Sequence, residues 1–523
     1  MQKLCLLLLI AGFLPATGCG RSESERRNSE NASATEKALP APADQPILRV
    51  HWAGIKALRA DTNATHLLSI WDMPETARLR EQTLDKLALA SWRLLEAGGS
   101  TNDALRLLRP LLDHIIEEEC YFEMHSNNPA LGFVFAIRLD DEKATIWDTN
   151  LAQIIESQGD ATLSRSSSGW TVSSKRLPTS IQMIRSGGWM ALSGGLQTEQ
   201  VPNLGWAGQS ATGPLLVVEF DSTRLLSTRD LLGGRIQIGC SNDSVRTTGS
   251  LRFRQHMFDV LPAWKLPTGI LDGALTSFTA LRGVESGLTE LMKSLGAQTV
   301  AGQVFLWSLE GSLTQTYGAI PVVDSVEVVS GISPNIMNRV NSFAGTNELL
   351  GFRKSTQYTG LEWTGLPFLS PFIQATTLDG QDYVVLGLFS PRKPSSPPQE
   401  LLEAIAQQDL VCYDWELTGI RIQQWLYIFQ FLRFVTSLPQ LPDDSASLVF
   451  LKALTPKLGN CVTRLVREKN GEVSLTRQSG VGFTALELHL LADWLESPSF
   501  PFGVHTLPAN STGKTNGSPA GPR

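Results

Sequence analysis

Apolar positions along this chain recur in two rhythms. From Pro74 onward, Leu79, Leu84, Leu87 and Trp92 return at helical spacing, and Pro74 after Asp72 suits a first helical residue. Asn102 to Glu119 repeats the pattern with Leu108, Leu111, Leu112, Ile115 and Ile116, and Pro110 is expected to kink or restart that helix. Thr484 and Glu487 form a capping box ahead of Leu486, Leu488, Leu490, Leu491 and Trp494. Ser333-Pro334 and Ser396-Pro397 read as helix openings. Gly419 to Val435 is the most apolar stretch of the body. It carries Arg421, Gln423, Gln424, Gln430 and Arg433, which are costly in lipid, so it reads as a core helix rather than a span, with an interaction face as the alternative.

The second rhythm is that of strands. Phe133 to Leu139 is a β-like run, and Leu163 to Val172 and Ile181 to Leu192 read as hairpins. Phe372 to Phe389 turns at Asp379-Gly380 and Cys461 to Leu475 at Asn470-Gly471, dipeptides suited to the positive φ angles of type I′ turns. The pattern predicts an α+β protein with antiparallel or mixed sheets and helices packed on one face. Three echoes suggest internal repetition, with chance as the alternative. His66 to Asp72, Pro214 to Asp221 and Leu410 to Glu416 each read as an apolar strand that ends in acidic residues and enters a helix. Unequal spacing excludes a tight solenoid. The expected division is residues 47–206, 212–326 and 333–503, giving two to three units in a chain of 523 residues.

The N-terminus changes the picture from a body to an anchored body. Lys3 precedes an apolar core of Leu4, Leu6, Leu7, Leu8, Leu9, Ile10, Phe13 and Leu14, which Pro15 interrupts. That length fits a secretory signal and falls short of a membrane span. Ala16, Thr17 and Gly18 then lead to Cys19. This resembles the lipobox of bacterial lipoproteins, with Ala16 where leucine is usual. The resemblance implies removal of residues 1–18, acylation of Cys19, and a membrane anchor, including a palmitate-type chain. Gly20 in place of Asp leans toward the outer membrane, facing the periplasm, in a Gram-negative host. Residues 19–46 form a polar tether and 504–523 a polar, Pro-rich tail, neither with enough apolar surface to fold.

A net charge of −7 argues against nucleic acid as a partner. Cys120, Cys240, Cys412 and Cys461 contain no C-x-x-C pair, and an exported setting permits disulfides. Cys412 and Cys461, in neighbouring predicted strands, are the expected bridge if one forms. Free buried thiols are the alternative. His114, Glu117, Glu118, Glu119, Cys120, Glu123 and His125 are the densest set of potential ligands, but they lack metal spacing, and a solvated helix end is expected there. Asp140-Asp141-Glu142 lacks a calcium-loop context and reads as a turn or an approach to a helix. Gly513-Lys514-Thr515 ends like a phosphate loop, but Pro508 stands where the first glycine is needed. Gly480-Val481-Gly482 reads as a strand-to-helix turn rather than a dinucleotide fingerprint. No G-x-S-x-G elbow occurs. The thirteen tryptophans read mainly as core anchors, with a glycan- or ligand-binding surface as the alternative.

No cofactor and no metal site are expected. The sequence points to a membrane-anchored, non-enzymatic envelope protein that binds or assembles with an envelope protein partner. Two alternatives stay open: an envelope hydrolase with a non-sequential active site, and a ligand-binding lipoprotein serving a transporter.

Overall fold

A computed structural model describes residues 46–502 apart from 96–99, 128–129, 158–160, 168, 175–178, 196–212, 226–230, 255–257, 259, 272–273, 300, 311–314, 344–350, 365–369, 390–398, 436–441 and 469–470. Cys19, the tether, Ser396-Pro397, Asn470 and residues 503–523 lie outside the described residues.

The first half of the body runs β1 (Leu48–Trp52), α1 (Gly54–Ala60), α2 (Thr65–Trp71), α3 (Pro74–Leu94), α4 (Thr101–Glu117), β2 (Cys120–Asn127), β3 (Ala130–Arg138) and α5 (Asp141–Glu156). It continues with β4 (Ala161–Ser166), β5 (Gly169–Ser174), β6 (Ile181–Ser186), β7 (Trp189–Gly194), β8 (Leu216–Phe220), α6 (Ser222–Leu225), β9 (Leu231–Ser241) and β10 (Ser244–Phe253). The second half runs β11 (Leu275–Arg282), α7 (Glu285–Leu295), β12 (Gln303–Leu309), β13 (Gln315–Val322), α8 (Ser325–Phe343), β14 (Gly351–Lys354), β15 (Gly360–Thr364), β16 (Phe372–Leu378) and β17 (Gln381–Gly387). After α9 (Gln399–Ile405) come β18 (Leu410–Leu417), α10 (Thr418–Val435), α11 (Ala446–Leu454), β19 (Asn460–Arg467), β20 (Glu472–Ser479) and α12 (Ala485–Glu496).

All twenty strands join one antiparallel sheet. This corrects the expected α+β arrangement of separate antiparallel or mixed sheets covered on one face. The pairings place the strands in the order β4-β5-β6-β7-β3-β2-β1-β8-β9-β10, then β20-β19-β18-β11-β12-β13-β17-β16-β15-β14. The sheet therefore dominates, and it is continuous because β10 of one half pairs with β20 of the other. Nor are the helices confined to one face. Leu401 and Ile405 of α9 pack with Phe278 and Ala280 of β11. On the same strand, the neighbouring Thr279 bonds Asp414 on the opposite face, toward Arg421 of α10.

Adding ten to every strand number in the first half gives the pairings of the second. The seam obeys the same rule. Thr248, fifth residue of β10, faces Thr476, fifth of β20, and Val245↔Ser479 mirrors Leu251↔Val473 across that point. The two halves are thus related by a pseudo-twofold axis through Thr248 and Thr476. Two of the three sequence echoes fall at equivalent places, in β8 leading into α6 and β18 leading into α10. The third does not, because Thr65–Trp71 is the helix α2. A short apolar run has no strand signature of its own, and here Ile70 turns inward onto the α10–α12 core.

The halves differ in what they insert. Four helices stand between β1 and β2 but one between β11 and β12, whereas α10 and α11 fill the β18–β19 connection where the first half has the single turn α6. These unequal insertions meet. Ile70, Met73 and Leu79 from the first half pack with Ile422, Leu451, Leu454 and Leu488 from the second.

Candidate functional site

The insertions flank a half-open cavity of ≈ 410 Å³ over the central strands. Its floor is Trp52, Leu216, Ile238 and Val245 from β1, β8, β9 and β10. Its walls are Ile55 and Leu58 of α1, Ile70 and Trp71 of α2, Leu79, Leu84 and Leu87 of α3, Phe450 and Leu454 of α11, and Leu488, Leu491, Ala492 and Leu495 of α12. Val481 and Phe483 close it from the turn before α12.

Three polar side chains line this space. Thr76 donates to the Ile70 carbonyl and Thr83 to the Leu79 carbonyl, each at 2.7 Å, so both hydroxyls are spent on backbone. Among the described residues, Arg80 is the only charged one that lines the cavity. Its guanidinium lies 4.6 Å from the centre of the Trp71 ring and donates to the Trp71 carbonyl at 3.3 Å. Burial holds its pKa below the ordinary arginine value. The cavity falls within the range of about 300–1,000 Å³ for small-molecule sites, which are mostly apolar with a few orienting polar groups.

Behind the α12 wall lies a buried polar cluster. Glu416 accepts a 2.6 Å bond from the Ala485 amide at the start of α12, and burial pushes its pKa up to about 7. Asp414 accepts from Thr279 at 2.6 Å and is raised by burial as well. Arg421, lowered to about 10 by burial, donates to Ser308 at 2.7 Å. Gln424 of the same helix donates to the Leu309 carbonyl. Arg477 binds both carboxylate oxygens of Glu487, at 2.8 and 3.0 Å, and reaches the Gly482 carbonyl of the cavity wall. None of Asp414, Glu416 and Arg421 lines the cavity. These bonds tie α10 and α12 to the sheet, although the Arg421 Nε–H finds no hydrogen-bond acceptor among the described residues.

The candidate residues read from sequence are dispersed. His114 accepts from the Trp147 ring N–H at 3.2 Å. Glu118 is held by Lys56 and Lys143, and Glu119 lies 3.1 Å from His51. Glu123 pairs with Arg49 at 2.7 Å, and Arg49 also reaches Glu219 at 3.0 Å. Glu219 in turn meets Arg235 at 3.3 Å, so these groups form an ion ladder across four strands of the sheet. Asp140 caps α5 by accepting from the Lys143 amide. The expected Cys412–Cys461 bridge is not formed. Both thiols are free, because Cys412 pairs with Leu465 and Cys461 with Glu416. Four residues of offset along paired strands separate them by about 13 Å, beyond the roughly 7 Å that a disulfide spans. Burial raises both thiols to about 12.

No known protein family matches the sequence, and no curated protein does. Two chains among solved structures match. One, from a structure titled as crystal form I of TP0453, is 10% identical with a TM-score of 0.21 and covers 45% of this chain and 99% of its own. A likeness that low carries nothing over to this protein. Among the described residues, no helix is long and apolar enough to cross a membrane.

Sequence reasoning missed Arg80. The signal was present: Arg80, Leu84 and Leu87 follow i, i+4, i+7 spacing, so a cation interrupts the apolar stripe of α3.

Proposed function

We propose that the body is a binding protein for an apolar ligand, held at a membrane through lipid on Cys19 in the cell envelope. The observation that carries this reading is the cavity between the two halves, with its hydroxyls internally satisfied and its walls aliphatic and aromatic apart from Arg80. A fully packed core leaves few voids larger than a water molecule, and an unfilled apolar cavity costs stability in proportion to its volume. A space of this size, built where two unlike insertions meet, is what a ligand site requires.

The direct test fills the space. Ala492 is fully buried on α12 and lines the cavity. Ala492→Phe is expected to lower affinity for a fluorescent apolar probe at least tenfold while leaving the circular dichroism spectrum unchanged. Probe binding equal to wild type would remove the cavity as the site.

A further inference from the structure

Among the described residues, Arg80 has no ion-pair partner, and it stands at the wall of an apolar space. Three carboxylates are near enough to act on its charge, namely Glu81, Asp72 and Asp113. Asp72 is held by Arg59 through two hydrogen bonds, at 3.0 and 2.6 Å, and Asp113 is held by Arg109 at 3.2 Å. Glu81 is the next residue of the same helix, and adjacent helical residues do not face each other. Among the described residues, the only hydrogen-bond acceptor of Arg80 is the Trp71 carbonyl. A guanidinium carries five N–H donors in a rigid fork that matches oxygen anions. The Trp71 ring covers one of its faces and fixes its position.

We propose that the cavity takes an amphiphile with an anionic oxygen head, a carboxylate or a phosphate ester, its chain along the aliphatic walls and its head on Arg80. This deepens the reading of the cavity as a ligand site and rests on it. The alternative occupant is a wholly neutral apolar molecule, for which Arg80 is only a packing element.

The experiment titrates delipidated full-length protein with dodecanoate, dodecyl phosphate and dodecanol, followed by quenching of tryptophan fluorescence, since Trp52 and Trp71 line the space. Both anions are expected to bind at least tenfold more tightly than the alcohol. Arg80→Met is expected to weaken the anions by about 10- to 100-fold, the scale of a lost charge-assisted hydrogen bond, and to leave dodecanol within about twofold. Arg80→Lys is expected to keep part of the preference, which separates loss of charge from loss of fold. Comparing the two anions tells a free fatty acid from a phosphate-headed lipid. Equal binding of all three probes, or an Arg80→Met change that weakens all three alike, overturns the headgroup assignment while the cavity reading stands. No binding of any probe to wild type overturns the cavity reading itself.

Discussion

Glu416 has little water in which to ionise. Its carboxyl sits on β18 beneath α12, and burial outweighs both the Ala485 amide and the nearby Arg421 charge, so its pKa rises from 4.5 to about 7. The sign of the stability effect follows. The folded state holds this proton more tightly than the unfolded chain, so the contribution is complete below about pH 4.5 and is lost as pH rises through about 7. The expected size is on the order of 3 kcal/mol. Urea unfolding between pH 4.5 and 8 checks it. Glu416→Gln should flatten that slope and make the protein more stable than wild type at pH 8. A slope unchanged in Glu416→Gln would assign the pH dependence elsewhere. At this scale the sequence shows little. Glu416 stands in an alternating strand like any surface acid, and only the arrival of α12, more than sixty residues later, makes it buried.

Elements were more legible than residues, because their signals are local. The Thr484–Glu487 capping box, the α3 and α4 stripes and the Asp379-Gly380 turn all form as the sequence predicts, and Asp379 and Gly380 take positive φ angles of 49° and 77°. Ser333-Pro334 fails as a helix start. The helix α8 already begins at Ser325, where Asp324 accepts from the Glu327 amide, and Pro334 lies inside it. Packing of Val328, Val329 and Ile332 on the sheet outweighs the lost backbone bond. One consequence belongs to α12, which forms a cavity wall. Thr484→Ala removes the side-chain acceptor for the Glu487 amide, 3.3 Å away, and should cost about 1 kcal/mol in a denaturation experiment. An unchanged denaturation midpoint would show that the Arg477–Glu487 pair alone holds the helix end.

At the scale of the whole molecule the sequence disclosed least. Which strands pair depends on contacts far apart in sequence, and hydrophobic rhythm does not encode partners. β1 pairs with β8, and this alone joins segments that the sequence had placed in separate units, 47–206 and 212–326. The likeness of the two halves was visible in two of the echoes, Pro214 to Asp221 and Leu410 to Glu416, but the strand-by-strand correspondence of their pairings was not. Anchoring also belongs to this scale. Lipid on Cys19 is expected to keep the protein with membranes, and Cys19→Ser should release it to the soluble fraction and abolish acyl labelling. Retention of both would remove the anchor.

The pairing of β10 with β20 carries a consequence for biosynthesis. These strands meet at the centre of the sheet, yet more than two hundred residues of chain separate them. While the second half is still being made, β10 is an open edge, its backbone donors and acceptors facing outward and ready to accept any strand of like shape. A second nascent copy supplies such a strand, since its own β10 matches the geometry of the missing β20. The exposed Arg246 and Arg252 put like charges along that edge. In a β10-to-β10 encounter built on the same register, Arg246 comes opposite Ser250 and Arg252 opposite Ser244, which puts four arginines on one narrow seam. The completed chain relieves this, because Arg252 then faces Glu472. Charge along this edge is therefore expected to disfavour a β10-to-β10 partner relative to β20, where Arg252 meets Glu472.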